Sequence, residues 1–307
     1  MRDSWPHQPV LYQEIIHVLQ PQRGKCYVDC TLGAGGHAYG ILEASQPDGK
    51  LLGLDLDPQA IALALSKLAP FSERAVIIRA SYTSLKEQLA SLGWEFVSGI
   101  LLDLGVSSMQ LDTSERGFSF LSDAPLDMRF DPDNPVTAEE LVNSLPEKDL
   151  ADVLYRYGEE RRAYQVARAI VQARPLRSTR QLALVVARAT TGREGFHPAT
   201  RTFQALRIAV NHELEAVEEV LPQAITALES GGRLAVIAFH SLEDRLVKQF
   251  FRRESQDCIC PPRQPVCSCG HHASIREVTR RPIRPQEQEY QANSRARSAR
   301  LRVAEKI

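Results

Sequence analysis

A doubly wound α/β domain interrupted by an all-helical insertion is the fold that this 307-residue sequence predicts. Three observations point to it. Strand-like and helix-like segments alternate from the start to Asp103. A glycine-rich turn joins the first strand to its helix. The next convincing strand begins only at Arg233, about 130 residues further on.

The elements follow in order. Val10, Leu11, Ile15, Ile16 and Leu19 recur at helical spacing, so residues 10–19 read as an amphipathic helix. Residues 25–30 read as a short buried strand that opens into Thr31-Leu-Gly-Ala-Gly-Gly-His37, with a helix to about Ala44. Residues 50–55 form the second strand and 58–68 the next helix. Val76-Ile-Ile and residues 99–103 supply two more strands, with a helix over 84–92 between them. Continuous apolar strands separated by helices pack as a parallel sheet covered on both faces.

After Gly105 the rhythm breaks, where an ordinary crossover needs only a helix and two short loops. Thr137-Ala-Glu-Glu140 is a capping box ahead of Leu141, Val142 and Leu145. Residues 147–157, 161–173 and 178–189 read as three further helices, and Pro198 opens a long one running toward Leu221. The strand 233–239, a helix over 242–251 and strand-like pieces at 275–279 and 299–304 close the chain. The expected division is an α/β domain over 1–108 and 215–307, with a helical insertion over 109–214.

Composition narrows the class. Such a length buries a core without help from disulfides or metals. No apolar run approaches the roughly 20 residues that span a bilayer, and MRDSWPHQPV lacks a secretory layout. Four of the six cysteines crowd into residues 258–269, unlike the dispersed pattern of a disulfide-stabilised secreted domain. A cytoplasmic, membrane-free protein is expected. The net charge of −1, taken alone, argues against a uniformly basic nucleic-acid binder.

The glycine turn points to a nucleoside ligand. Glycine at a strand-to-helix turn lets a ligand approach the main chain, and Asp55 ends the next strand, 20 residues after Gly35, where it can hold both ribose hydroxyls. A plain tight turn with a solvated acid is the bland alternative. The dinucleotide pattern G-x-G-x-x-G seats a pyrophosphate on the helix N-terminus. Here the turn is G-x-G-G with Asp29 four residues ahead of Gly33, an acid that would repel a pyrophosphate and suit the ammonium of S-adenosylmethionine. Asp103 and Leu-Gly-Val-Ser-Ser-Met-Gln110 follow the fourth strand, at the edge where ligand and chemistry meet in open α/β sheets.

Several segments then match one family in order. They are His7-Gln-Pro-Val-Leu11, Gly33-Ala-Gly-Gly-His37, Leu101-Leu-Asp-Leu-Gly-Val-Ser-Ser108, Glu115-Arg-Gly-Phe-Ser-Phe120 and Pro125-Leu-Asp-Met-Arg129. Tyr157-Gly-Glu-Glu-Arg161, the run from His197 to Arg207, Phe239-His-Ser-Leu-Glu-Asp-Arg245 and Asn293-Ser-Arg-Ala-Arg-Ser298 complete the set. Together they resemble the bacterial 16S ribosomal RNA (cytosine-N4) methyltransferases, the RsmH or MraW family, over nearly the whole chain. The resemblance implies a class I S-adenosylmethionine-dependent, Rossmann-like methyltransferase fold. It also implies action on the N4 of a decoding-centre cytidine in the small ribosomal subunit. Cofactor contacts carry over to Gly35, Gly36, His37, Asp55, Asp103 and Gln110, with Tyr82 where relatives often have Phe.

A cytosine amine is a poor nucleophile because its lone pair is delocalised, so the enzyme must align it and accept its proton. The D/N-P-P-Y/F segment of many amino-methyltransferases is replaced here by Asp103-Leu-Gly-Val. Asp103 is therefore a cofactor-pocket residue that can also accept from the amine. His240 and Ser241 follow the fifth strand and are the other catalytic candidates, although His240 can equally serve a loop. Thr200, Gln204, Arg207 and Asn211 share one face of the long helix, a stripe nearly free of charge that suits a cleft lining better than a solvated face.

The cysteines Cys258, Cys260, Cys267 and Cys269 read C-x-C-x6-C-x-C, with His271 and His272 nearby. Four thiolates suit tetrahedral zinc. The usual knuckle is C-x-x-C, however, and the tighter spacing leaves reduced, unliganded thiols slightly ahead. A catalytic metal is not expected for methyl transfer.

Charge is unevenly spread. Residues 110–140 hold eight acids against Arg116 and Arg129, whereas 150–210 hold eleven Arg against four acids and 276–302 hold eight Arg against three Glu. Arginine suits bidentate phosphate contacts and base stacking, although internally paired helix faces would give the same counts. Arg201, Gln204, Arg207, Asn211, Arg295 and Arg297 are the expected RNA contacts, with 16S ribosomal RNA as partner and a homodimer left open. The competing functions are a DNA or small-molecule methyltransferase of the same fold, and an assembly factor that binds RNA without catalysis. The intact glycine turn, Asp55 and Asp103 speak against the latter.

Overall fold

The computed structural model describes residues 9–190, 197–261, 264 and 266–307, so His7 and Gln8 of the first family segment lie outside the described residues. The first half alternates as its apolar pattern predicts. It runs α1 (Tyr12–Leu19), β1 (Cys26–Asp29), α2 (Gly36–Ala44), β2 (Lys50–Asp55), α3 (Pro58–Leu68), β3 (Ala75–Arg79), α4 (Leu85–Ser91) and β4 (Val97–Asp103). Then come the short α5 (Ser108–Asp112) and five longer helices: α6 (Ala138–Ser144), α7 (Glu147–Gly158), α8 (Ala163–Gln172), α9 (Thr179–Ala189) and α10 (Ala199–Asn211). The chain finishes with α11 (Glu213–Ala227), β5 (Leu228–Ala238), α12 (Ser241–Glu254), β6 (Ile275–Glu277), α13 (Glu287–Ala292) and β7 (Arg300–Lys306).

The strands form one sheet in the order β3-β2-β1-β4-β5-β7-β6. β1 to β5 run parallel, and β7 lies antiparallel between β5 and β6. From β1 the chain winds outward to β2 and β3, then returns to the other side through β4 and β5. The carboxyl ends of β1 and β4 therefore border the switch point, where open α/β sheets bind their ligands. This sheet, wound on both faces, is the class I methyltransferase architecture that the family resemblance implied.

Alternation along each strand builds two apolar layers. Val28, Leu52, Leu54, Ile100, Leu102, Leu234 and Val236 pack with Leu85 and Leu89 of α4, Val220 and Leu221 of α11, and Val247 and Phe251 of α12. Tyr27, Leu51, Leu101, Ala235 and Ile237 pack with Ile15 and Leu19 of α1, Ile41 and Leu42 of α2, and Leu68 of α3.

The chain divides into two compact units, one within residues 1–105 and 214–307, the other within 106–213. The second unit has its own core. Leu150 and Leu154 of α7, Val166 and Ile170 of α8, Leu182 and Val186 of α9, and Phe203, Leu206 and Val210 of α10 converge with Phe118, Leu126 and Met128.

Two sequence expectations need correction. The single helix from Pro198 toward Leu221 is two helices: Pro198 caps α10, and His212 at φ 50° in the left-handed region separates it from α11. The apolar pattern runs on through both helices, and no Gly or Pro marks the break. Side-chain bonds hold it instead, because Arg207 grips Glu213 across it and Asn211 Nδ2 donates to the Arg207 carbonyl. The strand-like piece 275–279 shortens to three residues, since the N–H groups of Val278 and Thr279 both turn onto the Val303 carbonyl.

Candidate active site

β1 ends at Asp29, and the chain turns through Gly33 (φ 51°) and Gly35 (φ 75°) into α2. Gly35 occupies the N-cap of α2 in the left-handed region, and a Cβ there would sit 3.3 Å from that of Ala64. At Gly36 a Cβ would collide with the Pro9 ring. Both glycines are thus required by backbone shape or close packing, and the turn stays pressed against the sheet edge.

Asp55, at the end of β2, fixes this turn. Its Oδ2 accepts from the Gly33 N–H at 2.8 Å and its Oδ1 from the Asp57 N–H at 2.9 Å. Burial raises its pKa, opposed by the N–H groups of Asp57 and Gly33. A carboxylate offers about four lone-pair sites, so two protein donors leave capacity for hydroxyls of a ligand. Asp57, buried beside it, caps α3 by accepting from the Gln59 N–H. Tyr82 lies just past β3, whose Arg79 pairs in register with Asp55, and its ring is half-buried.

A denser cluster gathers at the switch point. The Asp103 N–H donates to Thr31 Oγ1 at 2.6 Å, tying the end of β4 to the turn after β1. Asp103 Oδ2 lies 3.6 Å from His37 Nε2. Asp103 Oδ1 and both ring nitrogens of His37 are buried and have no hydrogen-bond partner among the described residues. Tyr12 stacks on the His37 ring at 6.2 Å. Asp29 is 1% exposed and accepts from the Thr31 N–H at 3.2 Å. Burial pushes its carboxyl up to about 7, with His37 pulling it down and the charges of Asp103 and Asp55 adding to the rise. Buried polar atoms almost always find partners. A group of them unanswered at a topological switch point marks a binding site.

His240 and Ser241 stand beside this edge, because β5 pairs with β4 and Ile237 is in register with Asp103. The His240 ring, however, turns back onto its own helix. Its Nδ1 accepts from the Glu243 N–H, and Glu243 Oε2 accepts from the N–H groups of Phe239 and His240. This reciprocal box caps α12. Nε2 approaches Glu243 Oε1 at 3.1 Å without hydrogen-bond geometry. Local capping therefore occupies Nδ1, while the buried Nε2 has no hydrogen-bond partner among the described residues. Glu243 and Thr31 are the two site-shaping residues that the sequence reading passed over. Glu243, three residues after the cap position, carried the capping-box signal; Thr31 carried none.

A shallow groove lies at the start of α12, lined by Phe239, His240, Ser241, Arg284, Arg297 and Arg300. Arg300 also binds Asp244, which pairs with Arg302 as well. Arg295 and Arg297 sit on the 3-10 helix Ser294–Ser298, with Arg297 exposed.

The remaining expected residues belong to the second unit. Gln110 Oε1 accepts from the Ser107 N–H and Ser107 Oγ from the Gln110 N–H, so a capping box of α5 engages the side chain expected on the cofactor. The polar stripe of α10 is largely an internal seam. Gln204 donates to the Tyr157 carbonyl, Arg207 holds the buried Glu213, and Asn211 accepts from the Phe130 N–H while donating to the Met128 carbonyl. Arg201 is half-buried and Thr200 exposed.

Cys258, Cys260, Cys267 and Cys269 bring their sulfurs within 4.8 Å of one another in the first unit. No described helix is long and apolar enough to cross a membrane.

Known proteins similar to this chain are numerous. The family model described as the MraW methylase family matches residues 4–307. A protein from Dehalococcoides mccartyi named ribosomal RNA small subunit methyltransferase H is 50% identical over 305 residues, covering 99% of this chain and 87% of its own. One of the same name from Thermomicrobium roseum is 51% identical over 308 residues, covering 99% and 94%. Among solved structures, an rRNA methylase from Streptococcus thermophilus aligns over 96% of this chain and 93% of its own, at TM-score 0.43 and 12% identity, a likeness too slight to argue from.

Proposed function

The chain belongs to the MraW methylase family, and from that membership we propose that it transfers a methyl group from S-adenosylmethionine to the exocyclic N4 of a decoding-centre cytidine in 16S ribosomal RNA. Relatives named as small-subunit ribosomal RNA methyltransferases, about half identical along the whole chain, support the substrate class. The observation that carries the chemistry is the buried, unanswered Asp103 Oδ1 beside His37 and Asp29 at the switch point.

The residues present fit the cofactor. Asp55 has lone pairs to offer the ribose, and Tyr82, on the neighbouring strand end, offers a ring for the adenine. Gly35 and Gly36 let the ligand lie close to the main chain. Asp29 and His37 offer a buried acid and a ring nitrogen to the amino-acid end. When bound, S-adenosylmethionine supplies an electrophilic methyl carbon on a sulfonium. Asp103 then acts on the nucleophile. Thr31 fixes its main chain, and Oδ1 accepts a proton of the cytosine amine, drawing the nitrogen lone pair out of the ring and toward the line of attack. His240 serves as a positioning residue, since it holds the start of α12 against this edge, and Ser241 opens that helix. The groove of Arg284, Arg297 and Arg300, with Arg295 nearby, suits contacts to the RNA backbone. The helical unit over 106–213 supplies the further surface that selects the ribosomal substrate, with exposed arginines of α7 to α9 rather than Arg207 as contacts.

The test incubates the protein with labelled S-adenosylmethionine and either small ribosomal subunits or naked 16S RNA, then maps the modified nucleotide by mass spectrometry. One N4-methylated cytidine is expected. Cofactor binding without transfer to either substrate overturns the reading.

A further inference from the structure

We propose that Cys258, Cys260, Cys267 and Cys269 form a structural site for one zinc ion, held by four thiolates, that clamps the long loop between α12 and β6.

The geometry is that of a tetrathiolate. A tetrahedral site with Zn–S bonds of about 2.3 Å has sulfur–sulfur edges of about 3.8 Å. Cys258 and Cys267 are 3.5 Å apart, Cys267 and Cys269 3.6 Å, and Cys258 and Cys269 3.9 Å. Cys260 completes the group within the same 4.8 Å. All four are free thiols. Unliganded thiols gain little from such crowding, and exposed ones have no packing reason to converge. A metal supplies the reason.

The surrounding donors fit thiolates as well. The Ser268 N–H points to Cys260 Sγ at 3.4 Å, and the N–H groups of His271 and Ile259 reach Cys269. Such N–H···S bonds support the ligands of thiolate metal sites. The C-x-C spacing is therefore compatible with four convergent sulfurs, even though it is tighter than the usual knuckle. His271 is engaged elsewhere, its Nε2 meeting the Arg253 carbonyl at 3.0 Å, so the ligand set is four sulfurs.

The loop needs a clamp. Residues 255–274 contain no helix or strand among their described members, and Ile259 and Val266 are exposed rather than buried in a core. A loop of that length inside a compact domain is uncommon unless something orders it. Its end is tied to α12 through the Ser274 N–H to the Glu254 carbonyl, and its two ends are tied together through the Ala273 N–H to Asp257. On binding, each thiol loses its proton to solvent as the sulfur joins the metal.

The experiment is elemental analysis of the full-length protein, purified without chelators under reducing conditions. It is combined with stepwise blocking of thiols by a mercurial while a chromophoric chelator reports released zinc. One zinc per chain is expected, freed in step with modification of four thiols, and the cobalt-substituted protein should show the intense visible absorption of a tetrahedral thiolate. Replacing all four cysteines by Ala should abolish zinc binding and open residues 255–274 to limited proteolysis. Fully reduced wild-type protein that takes up no zinc from a micromolar solution overturns the proposal. So does zinc retained by the quadruple variant, or one equivalent of iron in zinc's place.

Discussion

Replacing Asp29 by Asn separates what this acid does for the ligand from what it does to the fold. The carboxyl is fully buried, and burial raises it from 3.8 to about 7, His37 opposing and Asp103 and Asp55 reinforcing the shift. Between those two values the folded protein holds a proton that the unfolded chain releases. The stability tied to this group is therefore fully present below about pH 3.8 and is lost as pH rises to about 7. A shift of about three units corresponds to roughly 4 kcal/mol, since each unit is worth 1.36 kcal/mol. Asn keeps the shape and an acceptor for the Thr31 N–H but never ionises. The two proteins should match near pH 3, and the variant should become progressively the more stable above it, by about 4 kcal/mol at pH 8. Urea denaturation of the cofactor-free proteins across this range measures the difference, in which titrating groups remote from Asp29 cancel. S-adenosylmethionine affinity should move the opposite way, falling in the variant as the ammonium loses its partner charge. A stability difference that does not change with pH would refute the account of Asp29 as a buried acid kept at a cost for its ligand.

Other outcomes follow from the same geometry. Asp103→Asn should lower the single-turnover methylation rate by about 10²- to 10⁴-fold while cofactor affinity changes far less; a comparable loss in both would make Asp103 only a cofactor ligand. Asp55→Ala strands the Gly33 and Asp57 N–H groups and removes the ribose acceptor. Calorimetry should then show S-adenosylmethionine binding weakened at least about tenfold, since a hydrogen bond to a charged acceptor contributes about 1.5–3 kcal/mol. Arg207→Ala leaves Glu213 buried without its cation and should destabilise the second unit by about 3–5 kcal/mol in thermal or chemical melts. Normal stability with weakened RNA binding would instead restore Arg207 to the RNA surface. Arg297→Ala should weaken binding to RNA of any sequence and reduce the slope of log affinity against log salt by about one, measured by fluorescence anisotropy.

The sheet was legible because its strands are short continuous apolar runs alternating with amphipathic helices, the pattern of a parallel sheet buried on both faces. The glycine turn with Asp55 was legible for a similar reason, since each residue answers a backbone demand that few others can meet. The break at His212 was not legible. It depends on Arg207 and Asn211 reaching across a reversal that the apolar period ignores. Thr31 was equally hidden, for its role exists only once β4 lies beside β1 and the Asp103 N–H needs an acceptor.

His240 and Gln110 show where motif reading loses its footing. His240 sits in a family segment and Gln110 two residues beyond one; both follow a strand end, and both have side chains engaged at a helix N-terminus. The same physical fact explains the ambiguity. Strand ends in a doubly wound sheet are followed by helix starts, so the ligand edge and the orphaned N–H groups of the first helical turn share a neighbourhood. A polar side chain there satisfies either demand, and sequence alone does not say which. What distinguishes the two is whether the polar atoms are already answered. Those of Gln110 and His240 that the capping boxes use are; Asp103 Oδ1 and both nitrogens of His37 are not. By that measure Asp103, His37 and the Nε2 of His240 are open to a ligand. We place the chemistry with Asp103 and His37, where two unanswered side chains meet, while the caps hold the frame at the edge of the sheet.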